Sequence, residues 1–332
     1  MKTFQTMLLL VFHLLWADVT SVNALQIAVA RDGEYESLLR RFRPYERNYA
    51  IWQWTRNDQE AMEVQYSFKY IMYDCKNIGY GPLFGCRDNG MNNFNLFFSY
   101  TGQFDFYVGT RPSGPVINRL SNPALHLSYD ELEQEGDNPK KTRWSIDLSV
   151  EHRSDGQAVD PELKDTNPSS PNFGKFITQI EYEKGNNEYF DRISVGANYV
   201  RLSGYYSRPN TDMDIELSGK AYFSDESSVT WGKYAGQNVS FSDFDLIQIK
   251  LRDKWFQRWH HVPNTILALE YSIGNKGFAT DSVDLFLTFP WLSDKKGWNL
   301  PVFIKAHTGP MERLSDFSRS VDSIGFGFSF LY

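Results

Sequence analysis

His152 and Ser154 stand two residues apart in the stretch Trp144 to Gly156, W-S-I-D-L-S-V-E-H-R-S-D-G. A serine hydroxyl is a poor nucleophile at neutral pH until a base takes its proton, and the base needs a third group to hold its tautomer. Residues at i and i+2 of a strand share a face, so this spacing puts an imidazole within reach of a hydroxyl. The third group should come from an adjacent strand. Asp191 is the candidate, because in Asp191-Arg-Ile-Ser-Val-Gly-Ala-Asn-Tyr199 it begins the apolar series Ile193, Val195, Ala197, Tyr199. Polar residues are cheap at a membrane interface, and any one of the three could simply mark it. Their combined spacing at one level of an apolar face favours acyl-transfer chemistry.

The elements that must carry these residues are strands. Trp144, Ile146, Leu148 and Val150 alternate with Ser145, Asp147, Ser149 and Glu151, and His152 and Ser154 continue the apolar series until Asp155-Gly156 turns the chain. Alternating segments recur near Tyr49 to Arg56, Met62 to Tyr73, Phe94 to Val108, Ala124 to Leu132, Arg143 to Ser154 and Arg192 to Leu202. They continue at Asp214 to Phe223, Leu246 to Trp255, Ile266 to Gly274, Val283 to Leu292, Pro301 to Gly309 and Val321 to Tyr332. Twelve is an even number, as a single-chain outer-membrane barrel with both ends in the periplasm requires. The last segment is the sharpest: Ile324, Phe326, Phe328, Phe330 and Tyr332 share one face and Ser323, Gly325, Gly327 and Ser329 the other. On a soluble protein that would be an aggregation-prone edge; on a membrane barrel it is a lipid-facing closing strand.

Composition agrees. Aromatic residues make up 16% of the 332, yet mean hydropathy is −0.47, as when lipid-facing and water-facing residues alternate along every strand. After the N-terminus no apolar run reaches the length of a membrane helix. A formal charge of −7 and the lack of a basic, aromatic-rich stripe argue against nucleic acid as a partner. The fold expected is therefore all-β, a twelve-stranded antiparallel transmembrane β-barrel in one domain, residues 25–332. Residues 1–24, with Lys2, an apolar stretch from Met7 to Trp16 and Val22-Asn23-Ala24, read as a signal peptide. Export fits Cys75 and Cys86, which flank a Gly-rich loop and suit a disulfide better than a metal site. Short connections at Gly136 to Thr142, Trp259 to Thr265 and Ser293 to Asn299 read as periplasmic turns. Long ones at Asp155 to Phe190 and Ser224 to Asp245 read as extracellular loops, which places the His-x-Ser pair at the outer leaflet.

The chain resembles the outer-membrane phospholipase A family, whose signature is a His-x-Ser-Asn-Gly strand end followed by an Asn-Arg strand start. Here His152-Arg-Ser154-Asp155-Gly156 and Asp191-Arg192 stand in those places. Arg43-Pro-Tyr45-Glu-Arg-Asn48-Tyr49, Ser67-Phe68, Ser99-Tyr100-Thr101 and Gly325-Phe-Gly327 extend the likeness through most of the chain. The resemblance implies Ser154 as nucleophile, His152 as base and Asp191 where the family commonly has asparagine. A carboxylate there would also stabilise the imidazolium. Gly156 is then the backbone oxyanion donor, since a glycine lets the main chain approach the reacting carbonyl. The family binds Ca2+ at a dimer interface. The matching positions are Ser113 in Arg111-Pro-Ser113-Gly-Pro115, the Gln157 carbonyl, and Asn187 by counting back from Asp191 inside a segment, Ala158 to Phe190, that is longer than the family's.

The reading that follows is a calcium-dependent outer-membrane phospholipase A1/A2, active as a homodimer on glycerophospholipid acyl esters. A non-enzymatic porin or transport barrel is the alternative, but porins usually have more strands and a wide polar lumen. A soluble secreted esterase would carry a Gly-x-Ser-x-Gly elbow, and none occurs.

Overall fold

The computed structural model describes residues 41–55, 60–74, 92–107, 117–134, 141–155, 164–175, 177, 180, 181, 184, 194–208, 213–225, 233–234, 237–238, 240–253, 265–289, 300–314 and 317–330. A first compact unit, Met1–Arg43, falls almost entirely outside them, as do the expected signal segment and Cys75 and Cys86. The second unit, Pro44–Tyr332, holds the barrel.

Twelve strands run in chain order around it: β1 Asn48–Thr55, β2 Ala61–Asp74, β3 Asn92–Phe106, β4 Ile117–Gln134, β5 Lys141–Asp155 and β6 Val195–Arg208. They are followed by β7 Met213–Asp225, β8 Ile247–Asp253, β9 Ile266–Ile273, β10 Ser282–Phe289, β11 Val302–Gly309 and β12 Val321–Phe330. Each pairs antiparallel with the next, and β12 pairs with β1 to close the ring. Closure satisfies every ladder and leaves no edge, which is the condition for crossing lipid with strands. Among the described residues no helix is long and apolar enough to cross a membrane.

Alternation sorts the side chains. Leu125, Leu127, Ile146, Leu148, Val150, Leu202, Leu217, Leu285, Ile324 and Phe326 all point outward and are exposed. Leaving such side chains in water costs about 1.5–3 kcal/mol each, so the belt they form is a lipid surface. Aromatic rings flank it: Phe94, Tyr129 and Trp144 at one end, with centroids 4.8 and 5.6 Å apart, and Tyr66 with Tyr100 at the other. The closing strand presents Ile324, Phe326 and Phe328 outward, as the sequence pattern predicts, and its glycines inward. A Cβ on Gly327 would lie 2.1 Å from the Ala50 carbonyl oxygen, so only glycine lets β12 approach β1 this closely.

The inward faces are ionic. Lys305 Nζ donates to both Glu63 carboxylate oxygens at 2.9 and 3.1 Å. Arg201 pairs with Glu151 at 2.7 Å and donates to the Tyr45 hydroxyl, and Lys220 pairs with Asp245 at 2.6 Å. Glu312, in the connection after β11, is held low, at about 2; burial opposes its ionisation, but Lys305 and His307 outweigh it. At the end that carries the His-x-Ser pair, Val195 and Ala197 pack with Phe241, Phe244, Leu314 and Phe317 into an apolar plug.

Candidate active site at the barrel rim

His152 and Ser154 sit at the end of β5 on its outward face, half-buried, directly beyond exposed Val150. The register pairs Ser154 with Gly196 on β6 and with Ser121 on β4, and pairs His152 with Asn198 on β6. Cross-strand partners lie about 5 Å apart at Cβ, and these two meet: His152 Nδ1–H donates to Asn198 Oδ1 at 2.8 Å. That bond fixes the tautomer. With the proton on Nδ1, Nε2 keeps its lone pair, which is the form a general base needs.

The side chain holding His152 is therefore Asn198, where the sequence reading puts Asp191. Asp191 itself lies outside the described residues. The parity that selected it does not hold: Val195, Ala197 and Tyr199 are 2%, 1% and 2% exposed and face the interior, whereas Asn198 and exposed Leu202 face out with His152. The apolar series on β6 marks the plug, not the lipid. Both faces of this strand are greasy near the rim, so hydropathy alone could not choose between them. The one signal available was that the resembling signature uses asparagine. Beside Asn198 the ladder to β7 shifts by one residue, with Asn198 opposite Ser224 and Tyr199 opposite Tyr222. Such bulges re-aim side chains near sites.

Ser154 opens onto a concavity of about 420 Å3 with Tyr66, Tyr100, Phe104, Arg119 and Ser121. Ser121 Oγ donates to the Tyr100 hydroxyl at 3.1 Å. The Tyr66 ring lies against the wall because residue 102 is glycine; a Cβ there would sit 2.4 Å from the ring. The inner face of the same strand ends anchors the site. Glu151 accepts from Tyr199 at 2.8 Å and Ser149 at 2.7 Å, and Arg153 reaches Asp245 at 3.5 Å. These contacts tie β5, β6 and the segment before β8 together beneath the pair. Gly156, Gln157, Ser113 and Asn187 lie outside the described residues.

A second arrangement escaped the sequence reading. Inside the wall, Ser99 Oγ lies 2.8 Å from His126 Nε2, and His126 Nδ1 lies 2.8 Å from Asp147 Oδ2. Ser99, His126 and Asp147 come from three strands and no local motif links them.

A closed twelve-stranded transmembrane barrel carrying a His-x-Ser pair on its outer rim is the class of protein these observations define. No family model matches the chain, and no curated protein sequence matches it. Solved structures do. Outer membrane phospholipase A from Escherichia coli superposes with a TM-score of 0.54 at 13% identity, covering 86% of this chain and 93% of that one. An active-site mutant of the same protein, with an asparagine replaced by alanine, gives 0.54 at 14% identity, covering 87% and 91%. The Salmonella typhi outer membrane phospholipase, described as a dimer with bound calcium, gives 0.53 at 13% identity, covering 87% and 92%. This chain has the fold of outer membrane phospholipase A.

Proposed function

We propose that the protein is an outer-membrane phospholipase that hydrolyses acyl esters of glycerophospholipids, with Ser154 as nucleophile, His152 as general base and Asn198 as the group that positions the imidazole. The observation that carries this reading is the 2.8 Å bond from His152 Nδ1–H to Asn198 Oδ1 on the lipid-facing side of the rim, with Ser154 two residues on along that face. Ser154 would add to the ester carbonyl as Nε2 takes its proton. His152 would return that proton to the leaving alcohol, and water would then release the fatty acid. Gly156 N–H is the proposed oxyanion donor. That an asparagine is an active-site residue of the E. coli phospholipase supports giving this role to Asn198.

The porin reading fares worse, because ion pairs cross the lumen. The space among Tyr45, Arg47, Glu151, Arg201, Lys250 and Glu270 is about 200 Å3, room for waters rather than a solute channel. Residues 1–24 remain the proposed signal, and the rim with Ser154 the proposed extracellular end.

Calcium enters as part of the proposal through Ser113, the Gln157 carbonyl and Asn187. Hydroxyl, carbonyl and amide oxygens are donors of the kind Ca2+ takes. Bound there between two copies, the ion would supply a positive charge beside the oxyanion. Fatty-acid release from mixed micelles by the folded barrel is the decisive assay. Release that depends on Ser154 supports the reading, and hydrolysis unchanged in Ser154→Ala removes it. Chelation should lower the rate and the yield of a crosslinked dimer together. Full activity of strictly monomeric, calcium-free protein would remove the dimer and the ion from it.

A further inference from the structure

Near the rim end of β4 the chain reads Arg119-Leu-Ser121. Residues two apart on a strand share a face. Leu120, between them, packs on the interior apolar plug, so Arg119 and Ser121 both face outward. Ser121 is the cross-strand partner of Ser154 on β5. Arg119 therefore stands on the same side of the wall as the proposed nucleophile, about 7 Å farther toward the strand end. It is exposed, and with Ser154, Ser121, Tyr66, Tyr100 and Phe104 it lines the concavity of about 420 Å3. Among the described residues lining that hollow, Arg119 alone carries a charge.

The neighbouring surfaces decide what such a hollow takes. Val150 and Leu125, 52% and 48% exposed, continue the outward faces of β5 and β4 away from the rim as lipid-facing wall. A glycerophospholipid whose tails lie along that wall brings an acyl ester to Ser154 and its phosphodiester, a few bonds away, to the water side of it. Arg119 stands on that side. A guanidinium is always charged, and its fork of N–H donors matches two phosphate oxygens. The Tyr100 hydroxyl, which accepts from Ser121 at 3.1 Å, adds a polar group to the same mouth. The Tyr66 and Phe104 rings exclude water from one flank, which strengthens the attraction between opposite charges. A neutral ester offers the guanidinium no such partner.

We infer that Arg119 recognises the phosphate of the substrate and is the residue by which this site prefers a phospholipid to a neutral acyl ester. The inference rests on the reading of Ser154 as the nucleophile. A rim cation that only draws the barrel toward head groups would act on every substrate in the same micelle alike.

Phosphatidylcholine and diacylglycerol with the same acyl chains, each dilute in micelles of one neutral detergent, give the test. For the full-length barrel, kcat/KM on the first should exceed that on the second. Arg119→Gln should lower their ratio about 10–100-fold, the effect of a lost charged hydrogen bond, chiefly through KM. Arg119→Lys should recover part of it, because the charge is kept and the fork is not. Equal losses on both esters, or an unchanged ratio, overturn the assignment. A binding measurement separates that outcome from failure of the phospholipase reading. In Ser154→Ala, native mass spectrometry from the same detergent should find phosphatidylcholine retained in preference to diacylglycerol, and adding Arg119→Gln should abolish the preference. A preference that survives Arg119→Gln overturns the phosphate site whether or not the barrel hydrolyses either lipid. A preference lost in Arg119→Gln, from a barrel that releases no fatty acid, supports the phosphate site and removes the enzyme.

Discussion

Two serine–histidine pairs sit within a few strands of each other, and the better-formed one is on the wrong side of the wall. Ser99, His126 and Asp147 have the distances of a catalytic triad, 2.8 Å at both bonds. Yet His126 is fully buried, and its ring is stacked on Phe97 at 4.3 Å and an angle of 6°. No ester can reach it. At the rim, His152 and Ser154 are half-buried, face lipid, and open onto a concavity of about 420 Å3. Triad geometry is what a buried imidazole needs to satisfy both nitrogens. Access, rather than geometry, is what separates the buried set from the pair proposed to be catalytic.

Paired substitutions should break this symmetry most sharply. Ser154→Ala should lower fatty-acid release by roughly 10^4-fold or more, whereas Ser99→Ala should leave the rate unchanged. A sulfonylating reagent followed by peptide mapping should find Ser154 modified and Ser99 intact. Modification of Ser99 would mean the interior set is reachable after all.

The histidines should give mirror-image phenotypes. His126→Ala strands the buried Ser99 hydroxyl and an interior carboxylate, at a cost of about 3 kcal/mol in urea unfolding. His152→Ala should abolish hydrolysis with little change in the unfolding midpoint. A smaller effect sharpens the rim alone. Asn198→Ala should cost roughly 10–100-fold in kcat with KM little changed, and Asn198→Asp should retain activity because a carboxylate also accepts from Nδ1–H. Asp191→Ala should be spared; loss equal to that of Asn198→Ala would return the positioning role to Asp191.

The smallest effect is on the acid limb of stability. Glu312 is held at about 2 against an ordinary 4.5. Its contribution is therefore complete above 4.5 and is lost as pH falls through about 2. Glu312→Gln should flatten that part of the unfolding profile, measured by intrinsic fluorescence, by lowering stability at neutral pH while leaving it unchanged below about 2.

Much of the barrel was legible in the chain. Period-two patterning gave all twelve strands, and the faces of β5 and β12 come out as Val150, His152 and Ile324, Phe326 imply. Alternation works there because one face meets lipid and the other meets ions, so the solvents differ. It failed on β6, where Leu202 meets lipid and Val195 and Ala197 meet the apolar plug of Phe241, Phe244, Leu314 and Phe317. When both faces are apolar, parity carries no information.

The sequence by itself determined that strands would close into a membrane barrel, and that a base and a hydroxyl would share the outer face of β5. Those are local consequences of side-chain period and composition. Only the tertiary structure decided that Asn198 meets His152, that Ser99, His126 and Asp147 converge across three strands, and that Arg119 and Ser154 line one concavity. Each depends on inter-strand register, and a one-residue slip would exchange every partner.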